Sequence, residues 1–158
     1  MSALPTADLA QMQDWARAVM AQRPPDFVIG EPARPYLRRW FVVPRNALQN
    51  VYLHEILRSD DDRALHDHPW DSRSWVLDGG YLEHTPTGAH WRAPGWTGTR
   101  LATDAHRLEI PDDRPAVSLF FTGPRVRDWG FHCPNGWRHW QEFTGGEHGE
   151  LVGKGCGE

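Results

Sequence analysis

From residue 38 onward the sequence consists of short β-rich runs separated by turn residues, and this alternation constrains the fold most strongly. Residues 38–43, 51–57 and 116–121 are such runs. The chain of 158 residues contains 15 Gly and 13 Pro, enough to end each run after a few residues. Many short strands at close spacing are typical of an antiparallel sandwich or barrel. The sequence therefore predicts an all-β domain.

The remaining strands are predicted from the same pattern. They cover residues 74–82 with a turn or bulge at Gly79-Gly80, then the region of His90-Trp91, and residues 97–102, 105–110 and 137–143. In residues 51–57 the alternation predicts that Tyr52, His54 and Ile56 share one face of a strand. From residue 144 the chain is Gly-rich, and we expect a loop there.

One helix is predicted, at the start of the chain. Apolar residues recur at helical spacing at Leu9, Met12, Trp15, Ala16 and Met20. Thr6 is a candidate N-cap, and the helix is expected to end near Ala21, before Pro24-Pro25. We expect it to pack on the outside of the β domain.

Length, charge and cysteine content limit the classes of function. A chain of this length fits a single domain, residues 1–158. Its formal net charge of −4 argues against a nucleic-acid binder, and no run approaches the roughly 20 apolar residues of a membrane helix. Residues 1–20 do not resemble a signal peptide. With two cysteines, Cys133 and Cys156, we expect a cytoplasmic protein with free thiols, and a Cys133–Cys156 disulfide is the less favoured alternative.

Residues 64–81 contain the sharpest chemical signal. His66 and His68 are two residues apart, so their imidazoles project from the same side of an extended chain. His106 follows about forty residues later and supplies a third imidazole if its strand lies alongside. Such a set suits a divalent metal ion. A lone His-x-His pair is more often a surface feature, and Asp67 or Asp71 could supply an oxygen ligand instead.

These residues resemble the motifs of the cupin superfamily. The segment His66-Asp67-His68 matches the histidine pair of the first cupin motif, Gly79 or Gly80 matches its closing glycine, and His106 matches the histidine of the second motif. The resemblance implies a double-stranded β-helix, a jelly-roll barrel over residues 36–143, preceded by a helix and linker at 1–25 and followed by a tail at 144–158. It also implies a homodimer, with exchange of strands from residues 38–57.

The sequence departs from the cupin pattern at one ligand. The family glutamate would fall near Ser72 or Arg73, and neither is a carboxylate. This leaves three histidines, as in the cupin thiol dioxygenases that hold Fe(II). The resemblance implies Fe(II), with Mn, Ni, Zn or Cu as alternatives, and O₂ activation on a small organic substrate, anionic or a thiol.

Other residues are candidates for roles beside the metal. The candidate catalytic residues are His54, Arg127 and His132, and the candidate substrate-binding residues are Tyr52, Trp70, Trp75 and Arg125. Arg125 and Arg127 could form a fork for a carboxylate or phosphate. A structural role is the alternative for these residues, for example a hydrogen-bonded interior histidine at His54 or an arginine paired with Asp128. We expect His84, His90, His139 and His148 to be surface residues.

Two functions of other classes remain open at this stage. The chain could be a noncatalytic cupin that binds a metal or small ligand as a sensor or structural part. It could also resemble the metal-independent sugar-nucleotide isomerases, in which a histidine acts as a base. Stoichiometric metal bound by the three histidines would argue against the second of these.

Overall fold

A computed structural model describes residues 8–60, 64–111, 114–149 and 151–157. Two helices and twelve strands lie within these ranges. The helices are α1 (Leu9–Gln22) and α2 (Trp140–Phe143). The strands are β1 (Phe27–Glu31), β2 (Arg34–Phe41), β3 (Asn50–Ile56), β4 (Leu65–His66), β5 (Ser72–Asp78), β6 (Tyr81–Thr85), β7 (Gly88–Arg92), β8 (Thr97–Arg100), β9 (Arg107–Glu109), β10 (Ala116–Thr122), β11 (Gly130–Cys133) and β12 (Gly136–His139). The predicted β class is confirmed.

The strands form three antiparallel sheets. The largest has the order β1-β2-β3-β10-β5-β8, and the two smaller ones have the orders β12-β11-β4 and β7-β6-β9. An isolated bridge between His66 and His106 joins β4 to the chain that enters β9, and so links the two smaller sheets. In the large sheet β1, β2 and β3 are consecutive neighbours, whereas β3 pairs with β10 and β10 with β5, which are distant in sequence, as in a jelly roll.

Helix α1 packs on the outer face of the large sheet. The side chain of Asp8 caps it by accepting a hydrogen bond from the Gln11 amide at 2.8 Å. Ala16 lies in one cluster with Leu53 and Leu77, both at 0% exposure. The predicted helix is confirmed, and the predicted cap Thr6 lies outside the described residues.

Strand β3 is buried on both faces because the helix covers one and the barrel interior the other. Leu53 packs with α1, whereas Tyr52, His54 and Ile56 are buried on the alternate positions. The predicted common face of these three residues is therefore confirmed. Two of them, His54 and Ile56, line the interior cavity.

The prediction of a strand over residues 137–143 is correct up to His139 and wrong beyond it. Strand β12 ends at His139, and α2 begins at Trp140. His139 caps this short helix by accepting from the Gln141 amide at 3.3 Å. The turn inward lets Phe143 stack on Phe131, with ring centroids 3.7 Å apart. Burial of this aromatic pair explains why the β-rich run does not stay extended.

The expectation of two free thiols is wrong. Cys133, at the end of β11, forms a disulfide with Cys156 across a sequence separation of 23. The tail returns to β11 after α2, where the Gly155 amide donates to the Phe143 carbonyl at 3.0 Å. This return brings the second cysteine beside the first.

None of the described helices combines the length and hydropathy that a transmembrane span requires.

Candidate metal centre

Three short segments bring the histidines together. His66 ends β4, His68 follows two residues later, and His106 immediately precedes β9. The backbones of His66 and His106 exchange two hydrogen bonds of 2.9 Å each. This bridge fixes the third histidine beside the first, as the sequence predicted, and makes the juxtaposition a property of the main chain.

The three side chains form a compact group. One nitrogen of each of His66, His68 and His106 lies within 4.8 Å of the others, and the ring centroids are 5.0–5.1 Å apart. Within the described ranges, these three histidines are close enough to one another to hold one metal ion. The separation suits a metal ion between the rings, since Zn–N bonds are about 2.0–2.1 Å long.

The charge state of the rings fits a metal site. Burial lowers the pKa of His66 to about 4, even though Asp60 raises it. Burial, and then the neighbouring His66 and His106, lower the pKa of His68 well below 6.5. Both rings are therefore neutral at pH 7 and offer a lone pair. Nδ1 of His66 and Nδ1 of His68 are buried and have no hydrogen-bond partner among the described residues, a cost that a metal bound at these atoms would relieve.

Glu83, on β6, supports the third histidine. Its Oε1 accepts from His106 Nδ1 at 2.7 Å, and Arg100 and Arg92 donate through Nε at 2.6 and 2.8 Å. Burial alone would raise the pKa of Glu83, but the His106 bond and the Arg100 charge outweigh it and lower the pKa to about 2. A carboxylate–histidine pair of this kind orients a metal-binding imidazole.

Asp67 points away from the three rings and anchors the segment between them. Its carboxylate is 1% exposed and accepts from the Gly130 amide, Trp137 Nε1 and His132 Nε2, each at 2.9 Å. Arg127 completes the set with an ion pair of 2.8 Å. The alternative of Asp67 as a metal ligand therefore loses its geometric basis.

The three histidines line a cavity of about 310 Å³ inside the barrel. Its apolar lining includes Ile29, Leu37, Ile56, Leu108, Phe120 and Phe131. At about 30 Å³ for each water in the liquid, this volume corresponds to about ten waters. That is the low end of the range for small-molecule pockets, so the cavity suits a small ligand.

A tyrosine–aspartate pair lies in the same cavity. The Tyr36 hydroxyl donates a hydrogen bond to Asp60, whose other oxygen accepts from the Leu108 amide at 2.7 Å. That second oxygen lies 3.9 Å from Nδ1 of His66. The pair therefore brings a proton-bearing group and a negative charge close to the candidate ligands.

A second polar pair, Arg39 and His54, also lines the cavity. Arg39 Nε donates to His54 Nε2 at 2.9 Å, and its guanidinium lies 4.5 Å from the ring centroid of Tyr52. Burial, followed by the charge of Arg39, lowers the pKa of His54 well below 6.5. His54 is therefore a neutral acceptor.

Two of the predicted neighbours of the metal lie in the cavity wall. His54 is one, and Trp70 is the other. Trp70 stacks on His68 with centroids 5.0 Å apart and meets Phe120 edge-on at 5.3 Å. These contacts connect His68 with the apolar part of the lining.

The other predicted neighbours lie outside the cavity lining. Arg125 is exposed and pairs with Asp128. Arg127 and His132 bind Asp67, and Arg127 also donates to the His68 carbonyl at 3.3 Å. Tyr52 packs under Arg39, and Trp75 packs on the α1 side of the sheet. The contacts of both arginines are therefore structural, and Arg127 holds the backbone of His68, a candidate ligand.

Several cavity residues were not predicted. They are Tyr36, Arg39, Asp60, Trp129 and His148. His148 is exposed, as expected, and it also lies on the lining of the cavity because the tail passes over it. Arg39 reaches the cavity because it pairs directly with His54 in the sheet, a register that the alternation within β2 does not reveal.

Comparison with known proteins defines the fold. No protein-family model and no curated protein sequence matches the chain. Among solved structures, DMSP lyase DddQ from Ruegeria pomeroyi is similar with a TM-score of 0.57 and 13% identity over 78% of this chain and 67% of that one. A cupin-2 domain protein from Rhodospirillum rubrum gives a TM-score of 0.52 and 16% identity over 64% and 70% of the two chains.

A protein with a double-stranded β-helix domain from Klebsiella pneumoniae gives a TM-score of 0.50, with 14% identity over 65% of this chain and 90% of the other. At these identities the likeness concerns the fold. The chain therefore has the cupin double-stranded β-helix fold predicted from His66-Asp67-His68 and His106, with a three-histidine cluster in its interior that could hold a metal ion.

Proposed function

We propose that this chain is a metal-dependent enzyme of the oxygenase type that acts on a small organic substrate inside the barrel. One observation carries the proposal: among the described residues three imidazoles converge on the wall of a ligand-sized cavity, and their cluster contains no carboxylate. Three protein ligands leave coordination positions open, which is the arrangement of catalytic metal sites.

His66, His68 and His106 would hold the ion, with Fe(II) favoured and Mn, Ni, Zn or Cu as alternatives. Imidazole ligands suit all of these metals apart from a weaker preference for Mn. A bound Fe(II) would supply one-electron and O₂ chemistry that protein side chains lack.

The chain's own residues would position the ligands and the substrate. Glu83 accepts a hydrogen bond from His106 Nδ1, which would leave the Nε2 lone pair free to hold the ion. Trp129 meets His66 edge-on at 6.2 Å, and Trp70 stacks on His68 at 5.0 Å. These rings and the apolar lining would exclude water around an organic substrate, which strengthens electrostatic interactions within the site.

A second candidate is a metal-assisted elimination or isomerisation without O₂. The Tyr36–Asp60 pair favours it, because a tyrosine hydroxyl bound to a carboxylate is suited to moving a proton to or from a substrate in the same cavity. The similarity to a DMSP lyase in fold is compatible with such chemistry but does not select it.

Metal analysis of protein purified without added metal tests the shared part of both candidates. We expect about one ion per chain in the wild type and its loss in His66→Ala and His106→Ala. His84→Ala is the matched control, since His84 also bonds a glutamate, at 2.7 Å from Glu109, but lies outside the cluster. Retention of the ion in both cluster variants would overturn the metal centre.

Oxygen uptake separates the two candidates. The iron-loaded protein should consume O₂ with at least one member of a panel of thiols and small acids, and the zinc-loaded protein should not. Turnover that proceeds without O₂ and is lost in Tyr36→Phe would favour the second candidate. Metal binding without turnover under either condition would instead indicate a noncatalytic metal-binding cupin.

A further inference from the structure

Arg39 is a cation on the cavity wall. In the described part of the chain no carboxylate pairs with it, and the charged or ionisable groups that act on it are Tyr52, Arg45 and Tyr36. Burial lowers its pKa, yet a guanidinium keeps its proton at neutral pH. A partly buried charge without a counter-ion is unfavourable, so a complementary anion from outside the chain would stabilise it.

The donors of Arg39 are only partly used. Its Nε donates to His54, while no described residue accepts from its two terminal nitrogens. His54 is a neutral acceptor and fixes the guanidinium by that one bond, and the Tyr52 ring, 4.5 Å from the guanidinium carbon, restricts it further. A planar fork held at one nitrogen is preorganised for a carboxylate.

The other charged groups of the lining have partners within the protein. Asp60 accepts from Tyr36 and from the Leu108 amide, and Arg58 donates to the Arg34 carbonyl at 3.4 Å. Apolar rings, those of Phe120 and Trp70, extend from His54 to His68 with successive centroid distances of 5.1, 5.3 and 5.0 Å. The cation Arg39, an apolar wall and the three-histidine cluster therefore follow one another along the cavity lining.

We propose that Arg39, held by His54, binds the carboxylate of a small carboxylic acid whose apolar part lies against Phe120 and Trp70. The identification of this acid as the substrate rests on the proposed function. The anion site itself requires no metal. The cavity volume of about 310 Å³ limits the ligand to a small acid.

Butyrate and its neutral isostere butyramide provide the test, with the metal-free protein so that a carboxylate cannot bind through an ion. We expect butyrate to bind at least about tenfold more tightly than butyramide, measured by calorimetry at concentrations up to about 50 mM. Arg39→Gln should remove that preference. Arg38→Gln is the matched control, because Arg38 is adjacent in β2 but pairs with Glu55 at 3.0 Å, outside the cavity lining.

Wild-type protein gives a second readout that does not depend on the folding of a variant. Butyrate should shift the Nε–Hε resonance of Arg39 in NMR spectra, and butyramide should not. Arg39→Lys keeps the charge but loses the fork, so its butyrate affinity should fall between those of the wild type and Arg39→Gln.

The proposal is overturned by equal binding of butyrate and butyramide, by no binding of either, or by an unchanged preference in Arg39→Gln. A protein that binds butyrate through Arg39 but retains no metal would refute the proposed function and leave the anion site in place. A protein that binds metal but shows no carboxylate preference would refute the anion site alone.

Discussion

Nδ1 of His106 lies 2.7 Å from Oε1 of Glu83, on the neighbouring strand. Because a carboxylate only accepts hydrogen bonds, the proton of the imidazole belongs on Nδ1, and Nε2 keeps its lone pair. The pairing of β6 with β9, in which Glu83 faces Leu108, brings the two side chains together. The histidine cluster is therefore supported by Glu83 on β6, a strand separate from the His66–His68 segment.

Glu83→Gln should weaken metal binding. An amide can accept from His106 but carries no charge, so it stabilises the bound imidazole less and leaves Arg92 and Arg100 without their acid. We expect an affinity for Zn(II) lower by about 10- to 100-fold, measured by competition with a chelator.

Glu109→Gln provides the comparison for this change. Glu109 also accepts from a histidine, His84, but is 44% exposed and does not contact the cluster. Its variant should bind Zn(II) as the wild type does. Equal affinities for both variants would show that the Glu83–His106 bond does not support the metal.

Asp67→Asn should destabilise the fold. Asp67 accepts four interactions while 1% exposed, and an amide cannot accept all of them or neutralise Arg127. We expect a loss of about 2–4 kcal/mol in the free energy of unfolding, measured by urea denaturation of the metal-free protein. Asp128→Asn, which removes an exposed ion pair with Arg125, should change it by less than about 1 kcal/mol. Similar losses in the two variants would contradict the anchoring role of Asp67.

The metal-free protein should lose stability as the pH falls below about 6.5. Burial lowers the pKa of His54 and His68 well below 6.5 and that of His66 to about 4, so the unfolded chain takes up protons that the folded chain does not. Each of these histidines contributes a slope of up to about 1.4 kcal/mol per pH unit. This loss of stability from the histidines falls between pH 6.5 and 4.5. Glu83, whose pKa is lowered to about 2, begins to lose its own contribution to stability only at lower pH.

His54→Gln isolates one part of this slope. We expect a shallower dependence of the unfolding free energy on pH, lower by one histidine's share, while the exposed His90→Gln on β7 should keep the wild-type slope. A slope unchanged by His54→Gln would show that His54 does not resist protonation in the folded state.

The first two candidate ligands could be predicted from the sequence because their arrangement is local, whereas His106 was predicted from its resemblance to the second cupin motif. The two-residue spacing of His66 and His68 fixes a common side of the chain in any extended segment. The supporting residues depend instead on strand register. Arg39 faces His54 only through the pairing of β2 with β3, and Asp60 reaches the cluster because its amide bonds the Leu108 carbonyl at 3.0 Å. No short pattern in one segment determines such pairings.

The course of the tail was beyond prediction for a similar reason. Glycine-rich sequence indicates a loop without indicating where it goes, and the tail is held by contacts with distant elements. Gly145 and Leu151 form an isolated bridge, and Cys156 is bonded to β11. As a result, Thr144, Leu151 and the exposed His148 contribute to the cavity lining.

Cys156→Ser should loosen the cover of the cavity. The disulfide closes a loop with a sequence separation of 23, for which chain entropy gives a stabilisation of about 3 kcal/mol. Because Thr144, His148 and Leu151 line the cavity between the two cysteines, opening the loop should increase amide hydrogen exchange there before it affects β3 or β10. Cys133→Ser removes the same bond from the other side and should give the same exchange pattern, as should reduction of the wild type by a dithiol. Wild-type protection of these tail amides in both variants would mean that the Gly145–Leu151 bridge and the packing of Phe143 on Phe131 hold the cover without the disulfide.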